Sequence, residues 1–327
     1  MCNMKKKVKI ALLTDDNDFF LERINRYYDV ELSSSPDFAF CNSSTRYECV
    51  YRFDCVRIVI NGENIRPDFN LFDYAIGFDK TLCFEDRNFY YPQFMGNKHQ
   101  MQRLLEKHTL DTDEYLSRKK FCSFIVTNSR DADPMRDKLL DLVSSYKHVD
   151  SAGRYRNNMP GHKNVEDKFS FQQGYRFSLV PENSSFPGYT TEKIVDAFAA
   201  GTIPIYWGDP RIQDQFNKDA FINAFDYPDE ESLIERIREI NENEDLYLKM
   251  VKTPAINPTG DIPSMLEDSY LDKYLCHILD QTPSDAIRRT NRKYGWGQFA
   301  ERDCMFFYDM MRHKSITTLY RIIRHLN

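Results

Sequence analysis

Apolar and polar positions change period repeatedly along the first third of the chain. Residues 8–14 (VKIALLT) are a short aliphatic, β-branched run of the kind that forms a buried strand. Residues 18–28 then place Phe19, Phe20, Ile24 and Tyr27 at helical spacing. Residues 56–60 return to the strand pattern and end at Asn61-Gly62-Glu63-Asn64, and residues 72–78 predict a further short strand. From about 93 to 120 the chain is polar and charged, a connector with helical pieces such as 101–107. A second series follows. Strands are expected at 121–127, 175–180 and 202–207, and helices at 134–146, 190–200 and, long and charged, 230–250. Pro134 suits a first helical turn, where a missing N–H costs little, and Gly201 suits the position just past a helix. Pro204 conflicts with its strand, because it has no N–H for a central ladder.

Strands alternating with helices imply parallel sheets covered by helices. The expected fold class is therefore α/β, with two Rossmann-like domains facing a cleft. The boundaries expected are residues 1–118, residues 119–280 and a helical tail at 281–327. Ligands of such sheets bind beyond the carboxyl ends of strands, so candidate chemistry is sought there.

Composition narrows the function. With 41% hydrophobic and 29% charged residues, the 327-residue chain reads as a folded domain pair. Its net charge of −6 argues against a general nucleic-acid binder, which needs excess Lys and Arg to neutralise phosphates. Eight scattered cysteines form no C-x-x-C pair, which points away from zinc and disulfide frameworks and towards a reduced cytoplasm. The apolar run near the start is too short for a signal peptide, and no stretch approaches the ~20 apolar residues of a membrane span.

The segment from Phe177 to Lys193 carries the most chemistry. A strand runs into Glu182-Asn183-Ser184, then a loop, then Tyr189-Thr190-Thr191-Glu192-Lys193 at a helix start. Free N–H groups make such a start an anion site. Glu192 suits the helix dipole there, whereas Lys193 does not, unless an anion such as a diphosphate lies nearby. Extension of Lys193 into solvent, or its pairing with Glu182, is the other reading. With only 12 glycines and neither G-x-G-x-x-G nor a P-loop, a diphosphate would have to be held by cations, hydroxyls and helix ends. Arg136, opening the helix after Asn128, is a candidate for forked phosphate contacts, or alternatively pairs with Asp133 or a neighbouring acid. Asp111-Thr112-Asp113 and Asp131-Ala132-Asp133 have the D-x-D form that can hold a divalent ion. They are read instead as connector and helix-start residues, and no metal or cofactor is expected.

The run FSLVPENSSFPGYTTEKIVDAFAAGTIPIYWGDPRI (177–212) resembles the signature of the bacterial α1,3-fucosyltransferases, glycosyltransferase family 10. Gly62-Glu63-Asn64, Asp73-Tyr74-Ala75-Ile76-Gly77-Phe78, Phe124-Ile125-Val126-Thr127-Asn128 and Pro134-Met135-Arg136 extend the likeness over roughly 56–226. The sequence departs from the pattern at Pro181 and Thr190. The resemblance implies a GT-B fold and an inverting transfer of L-fucose from GDP-β-L-fucose. The acceptor it implies is a glycan ending in Gal-GlcNAc, substituted at the 3-hydroxyl of GlcNAc to give a Lewis x-like product. It further implies Glu63 as general base, diphosphate contacts from Arg136 and Lys193, and donor contacts from Glu182, Asn183, Tyr189 and Glu192. Arg154 and Arg156 lie in a matching stretch, with Arg156 the donor candidate. Acceptor choice is expected in loops near 30–50 and 80–100.

Residues 305–327 place Leu319, Ile322, Ile323 and Leu326 at helical spacing beside Arg312, Lys314, Arg321 and Arg324. Such a segment suits peripheral contact with the inner face of an anionic membrane, or packing on the domain. Two rivals remain: a GT-B transferase for another nucleotide sugar, and a non-catalytic glycan- or nucleotide-binding protein.

Overall fold

The computed structural model describes residues 5–15, 17–106, 111–289, 297–313 and 316–318. It divides into two compact units, residues 1–91 with 268–327, and residues 92–267.

The first unit is built on β1 (Lys6–Leu13), β2 (Tyr28–Leu32), β3 (Phe38–Asn42), β4 (Val56–Asn61), β5 (Tyr74–Gly77) and β6 (Asn88–Tyr90). All pair in parallel in the order β2-β1-β3-β4-β5-β6. The β3 and β4 sequences are apolar almost throughout, as a sheet covered on both faces requires. The second unit holds β7 (Lys120–Phe124), β8 (Val149–Ser151), β9 (Tyr175–Pro181), β10 (Ile203–Trp207) and β11 (Ile222–Asn223), parallel, in the order β11-β10-β9-β7-β8. Its core runs from Leu139 and Val143 through Phe177 and Ile205 to Ile237 and Tyr247.

The two units divide the chain at other points than the expected boundaries. The connector belongs wholly to the second unit. Helix Lys98–Glu106 packs on helix Glu192–Ala199, Phe94 meets Phe216 at 5.5 Å, and Tyr115 is fully buried in the core. Residues from Asp268 onward return to the first unit through buried ion pairs. Arg23 meets Asp272 at 2.6 Å, Arg289 meets Asp73 at 2.5 Å and Arg57 meets Glu301 at 2.6 Å. Such long-range pairs leave no mark on local periodicity.

Two local expectations also change. The long helix at 230–250 is two, Glu230–Glu242 and Glu244–Lys252. Asn243 breaks it, adopting extended angles and accepting the Leu246 N–H on its side chain at 3.1 Å. Pro204 does lie in β10, but β11 pairs with β10 only at Ile205 and Tyr206, so at Pro204 that side of the strand is an edge. In the tail, helix Gly297–Arg312 packs on helix Arg46–Arg52 of its own unit. Lys314 and the residues Leu319, Arg321, Ile322, Ile323, Arg324 and Leu326 lie outside the described residues. Among the described residues no helix is long and apolar enough to cross a membrane.

Candidate functional site

The chain leaves β7, forms β8 on one side, and returns to place β9 on the other side of β7. Strand order therefore reverses between β7 and β9, and the crevice beyond their carboxyl ends is where a parallel sheet binds ligands. The segments after these two strands meet there. The Asp133 N–H donates to the Asn183 carbonyl at 2.7 Å, and an Arg136 guanidinium N–H donates to Asn183 Oδ1. The crevice is lined by Val126, Gln172, Val180, Lys193 and Asp196 among others and encloses about 20 Å³. That is the size of one water, so a nucleotide would lie across its mouth.

Glu182 sits at the centre, fully buried. Its Oε1 accepts the Thr191 N–H at 2.7 Å, and its Oε2 accepts the Thr191 hydroxyl at 2.8 Å and Lys193 Nζ at 2.9 Å. The anion at the start of helix Glu192–Ala199 is therefore internal. Lys193 does pair with Glu182, and it donates a second bond to Thr191 Oγ1 at 2.7 Å. An ammonium has three donors, so one remains, on a side chain 21% exposed. Burial pulls the Lys193 pKa down, but the Glu182 and Glu192 carboxylates outweigh it and hold it above the ordinary lysine value. Gly208 is required against this cluster, because a Cβ there would lie 2.4 Å from Glu182 Cγ.

Arg136 is 1% exposed. It also donates to the Asn128 carbonyl at 3.1 Å; its Nε has no hydrogen-bond partner. It makes no ion pair among the described residues, so the alternative pairing with Asp133 does not form. Asp133 instead accepts the Met135 N–H at 2.8 Å. Burial lowers the Arg136 pKa, opposed first by the charge of Glu182 and then by Tyr189. Arg136 thus adds a buried guanidinium with no ion pair among the described residues beside the Glu182–Lys193 pair. An uncompensated guanidinium at this depth is costly unless an anion joins it.

The remaining expected residues divide. Tyr189 is buried beside the cluster, its N–H bonded to the Phe186 carbonyl at 3.0 Å. Glu192 faces a second group, with Lys193, Lys168 and Asp196. Its pKa falls below the usual range because these cations and local hydrogen bonds outweigh the upward push of burial. Burial, then the Glu192 charge, pushes Asp196 up to about 6. Arg156 is not drawn into the cluster. Its side chain is 38% exposed and bonds Asp141 at 2.5 Å and Asp137 at 3.7 Å along helix Met135–Tyr146. Glu63 lies in the first unit on the exposed loop that follows β4. Sequence reading missed Thr191 and Asp209. Asp209 is buried, accepts the Thr190 hydroxyl at 3.3 Å and the Arg211 N–H at 2.8 Å, and so ties the 188–190 loop to the end of β10. Its signal was its place directly after the strand, in Trp207-Gly208-Asp209-Pro210.

Two parallel Rossmann-like sheets, one carrying an anion-seeking cluster at its switch point, define the GT-B class of nucleotide-sugar transferase folds. The chain matches the family description glycosyltransferase family 10 (fucosyltransferase), C-terminal, over residues 115–285. It also matches the alpha-(1,3)-fucosyltransferase FucT N-terminal domain over residues 9–96. It belongs to glycosyltransferase family 10. The alpha-(1,3)-fucosyltransferase FucT of Helicobacter pylori is 31% identical over 304 residues, covering 82% of this chain and 62% of that protein. The chain thus spans less than two thirds of that relative's length. A crystal structure of an alpha1,3-fucosyltransferase with GDP superposes with a TM-score of 0.72 at 26% identity, covering 89% of this chain and 94% of the other. One with GDP-fucose gives 0.69 at 25% identity, covering 89% and 95%.

Proposed function

We propose that this chain transfers L-fucose from GDP-β-L-fucose, with inversion, to the 3-hydroxyl of GlcNAc in glycans ending in Gal-GlcNAc. The observation that carries the reading is the Arg136–Glu182–Lys193 cluster at the switch point of the second sheet, where the buried Arg136 guanidinium has no ion pair among the described residues. The solved relatives with GDP and with GDP-fucose support the choice of donor.

In this reading the acceptor oxygen attacks the anomeric carbon as the bond to the β-phosphate oxygen breaks on the opposite face. The acceptor proton passes to the Glu63 carboxylate, and GDP leaves with its bonding electrons. Arg136 and the free N–H of Lys193 meet the charge that develops on the diphosphate. Glu182 works through Lys193 and Thr191, holding the ammonium in place rather than touching the donor. GDP leaves well once its charge is met, so no carboxylic acid partner and no metal is required.

The test is turnover of GDP-fucose against a panel of glycan acceptors, with and without EDTA, and with the anomeric linkage of the product read by NMR. Transfer giving an α-linkage and unaffected by EDTA is expected. Glu63→Gln should lower kcat about 100-fold or more, the usual worth of a general base, with GDP affinity unchanged. Transfer within a few-fold of wild type would sink the assignment of Glu63.

A further inference from the structure

The first unit contains a cavity of about 470 Å³ that the reading above does not use. It opens between the start of helix Arg46–Arg52, the chain from Asn61 to Phe72, and helix Gly297–Arg312. Its volume falls within the range of ligand sites, which runs from about 300 to 1,000 Å³.

Its chemistry is that of a site for a neutral, hydroxylated ring. Tyr47 and Phe307 form an aromatic wall, with centroids 5.6 Å apart and planes at 65°. The Arg46 guanidinium lies 4.3 Å over the Tyr47 ring and bonds its hydroxyl at 3.2 Å, with no carboxylate within ion-pair distance among the described residues. Asp68 and Asp303 line the cavity and are exposed. Arg66, the other cation of the lining, is already bonded to Asp79 at 2.7 Å. Arg46 also donates to the Ser43 carbonyl, so two carboxylates beside a guanidinium already held by neutral groups disfavour an anion. They offer acceptors and a donor to hydroxyls, while an aromatic face takes the C–H side of a pyranose. Asn61 is committed internally, accepting the Ser43 hydroxyl at 2.5 Å and donating to the Ile65 carbonyl. That fixes the loop whose middle residue is Glu63, with Asn61 and Ile65 on either side both lining the cavity.

We infer that this cavity is the acceptor subsite, holding a neutral pyranose of the acceptor glycan against Tyr47 and Phe307, on the loop that carries Glu63. The inference rests on the proposed transfer reaction. It moves acceptor recognition away from the loop near 80–100, which contributes no lining residue, and onto residues 61–72 and the C-terminal helix.

The test compares wild type with Tyr47→Ala, which opens the wall, and Ala300→Leu, which fills the cavity from the helix side. Kinetics would be measured with GDP-fucose and methyl β-N-acetyllactosaminide, or whichever panel sugar is the best acceptor, and GDP affinity would be measured by calorimetry. The acceptor KM should rise tenfold or more in both variants, with the KM for GDP-fucose within twofold of wild type. An acceptor KM within twofold of wild type in both, with GDP affinity retained, overturns the subsite. Should Tyr47→Ala fail to melt cooperatively, Ala300→Leu decides alone, since it removes no core side chain. If wild type transfers fucose from GDP-fucose to none of the panel acceptors, the transfer reading itself falls and this inference with it, a result visible before any variant is made.

Discussion

Asp196 makes the energetics of the site measurable at a single residue. Burial raises its carboxyl from the ordinary 3.8 to about 6, with the Glu192 charge adding to the effect. The folded state therefore binds this proton more tightly than the unfolded state. Its contribution to stability is fully present below about pH 4 and is lost as pH rises through about 6. Asp196→Asn removes that loss. The variant should be more stable than wild type at pH 7.5 by about 1–2 kcal/mol, with the difference vanishing near pH 4. Urea denaturation at the two pH values checks this, and an equal difference at both would place the raised pKa elsewhere.

At the scale of elements, helix Glu192–Ala199 is held at both ends by charged side chains from outside itself. Glu182 takes the Thr191 N–H and hydroxyl at its start. Arg118 closes its far end, one guanidinium nitrogen donating to the carbonyls of Gly201 at 2.7 Å, Ala200 at 3.0 Å and Tyr175 at 3.3 Å. Cations complete a helix C-terminus both by hydrogen bonding and through the dipole. Arg118 is buried without an ion pair among the described residues, so its loss would strand those carbonyls. Arg118→Met should cost about 2–3 kcal/mol, seen as a lower urea midpoint with unchanged slope. A midpoint like that of wild type would mean that water replaces the guanidinium. Neither end support was legible in sequence, although the helix was. Its apolar residues Ile194, Val195, Ala197 and Phe198 repeat at the helical period and are all buried, whereas its partners come from 9 and 82 or more residues away. The same limit explains Asn243. A period-3.6 pattern continues across it, and only the side-chain cap reveals the break.

At the scale of the whole chain, the units join residues that the periodicity separates. A fragment of 92–267 keeps helix Lys98–Glu106 on its partner Glu192–Ala199 and ends before Asp268. A fragment of 119–280 loses that helix and Tyr115 from the core, and carries helix Asp268–Leu279 without Arg23, which pairs with its buried Asp272. The first fragment should melt cooperatively and bind GDP. The second should expose apolar surface, bind a hydrophobic dye and show no cooperative transition. Calorimetry of both decides, and cooperative melting of 119–280 would restore the sequence-drawn boundary.

What the sequence determined by itself was local. The strand and helix periods established a parallel α/β chain in two series, and the motif from Phe177 to Lys193, read with its resemblance, pointed to the family. Both are short-range properties, written in residues that neighbour one another. The tertiary structure decided which charges meet. It put Glu182 beneath Lys193 and left Arg136 buried without an anion. It kept Arg156 on a helix surface, and it set helix Gly297–Arg312 to line one cavity with the residues that flank Glu63. Those outcomes depend on burial and on contacts across tens to hundreds of residues, where the cost of an unpaired charge is set by the fold around it and by nothing in its neighbours along the chain.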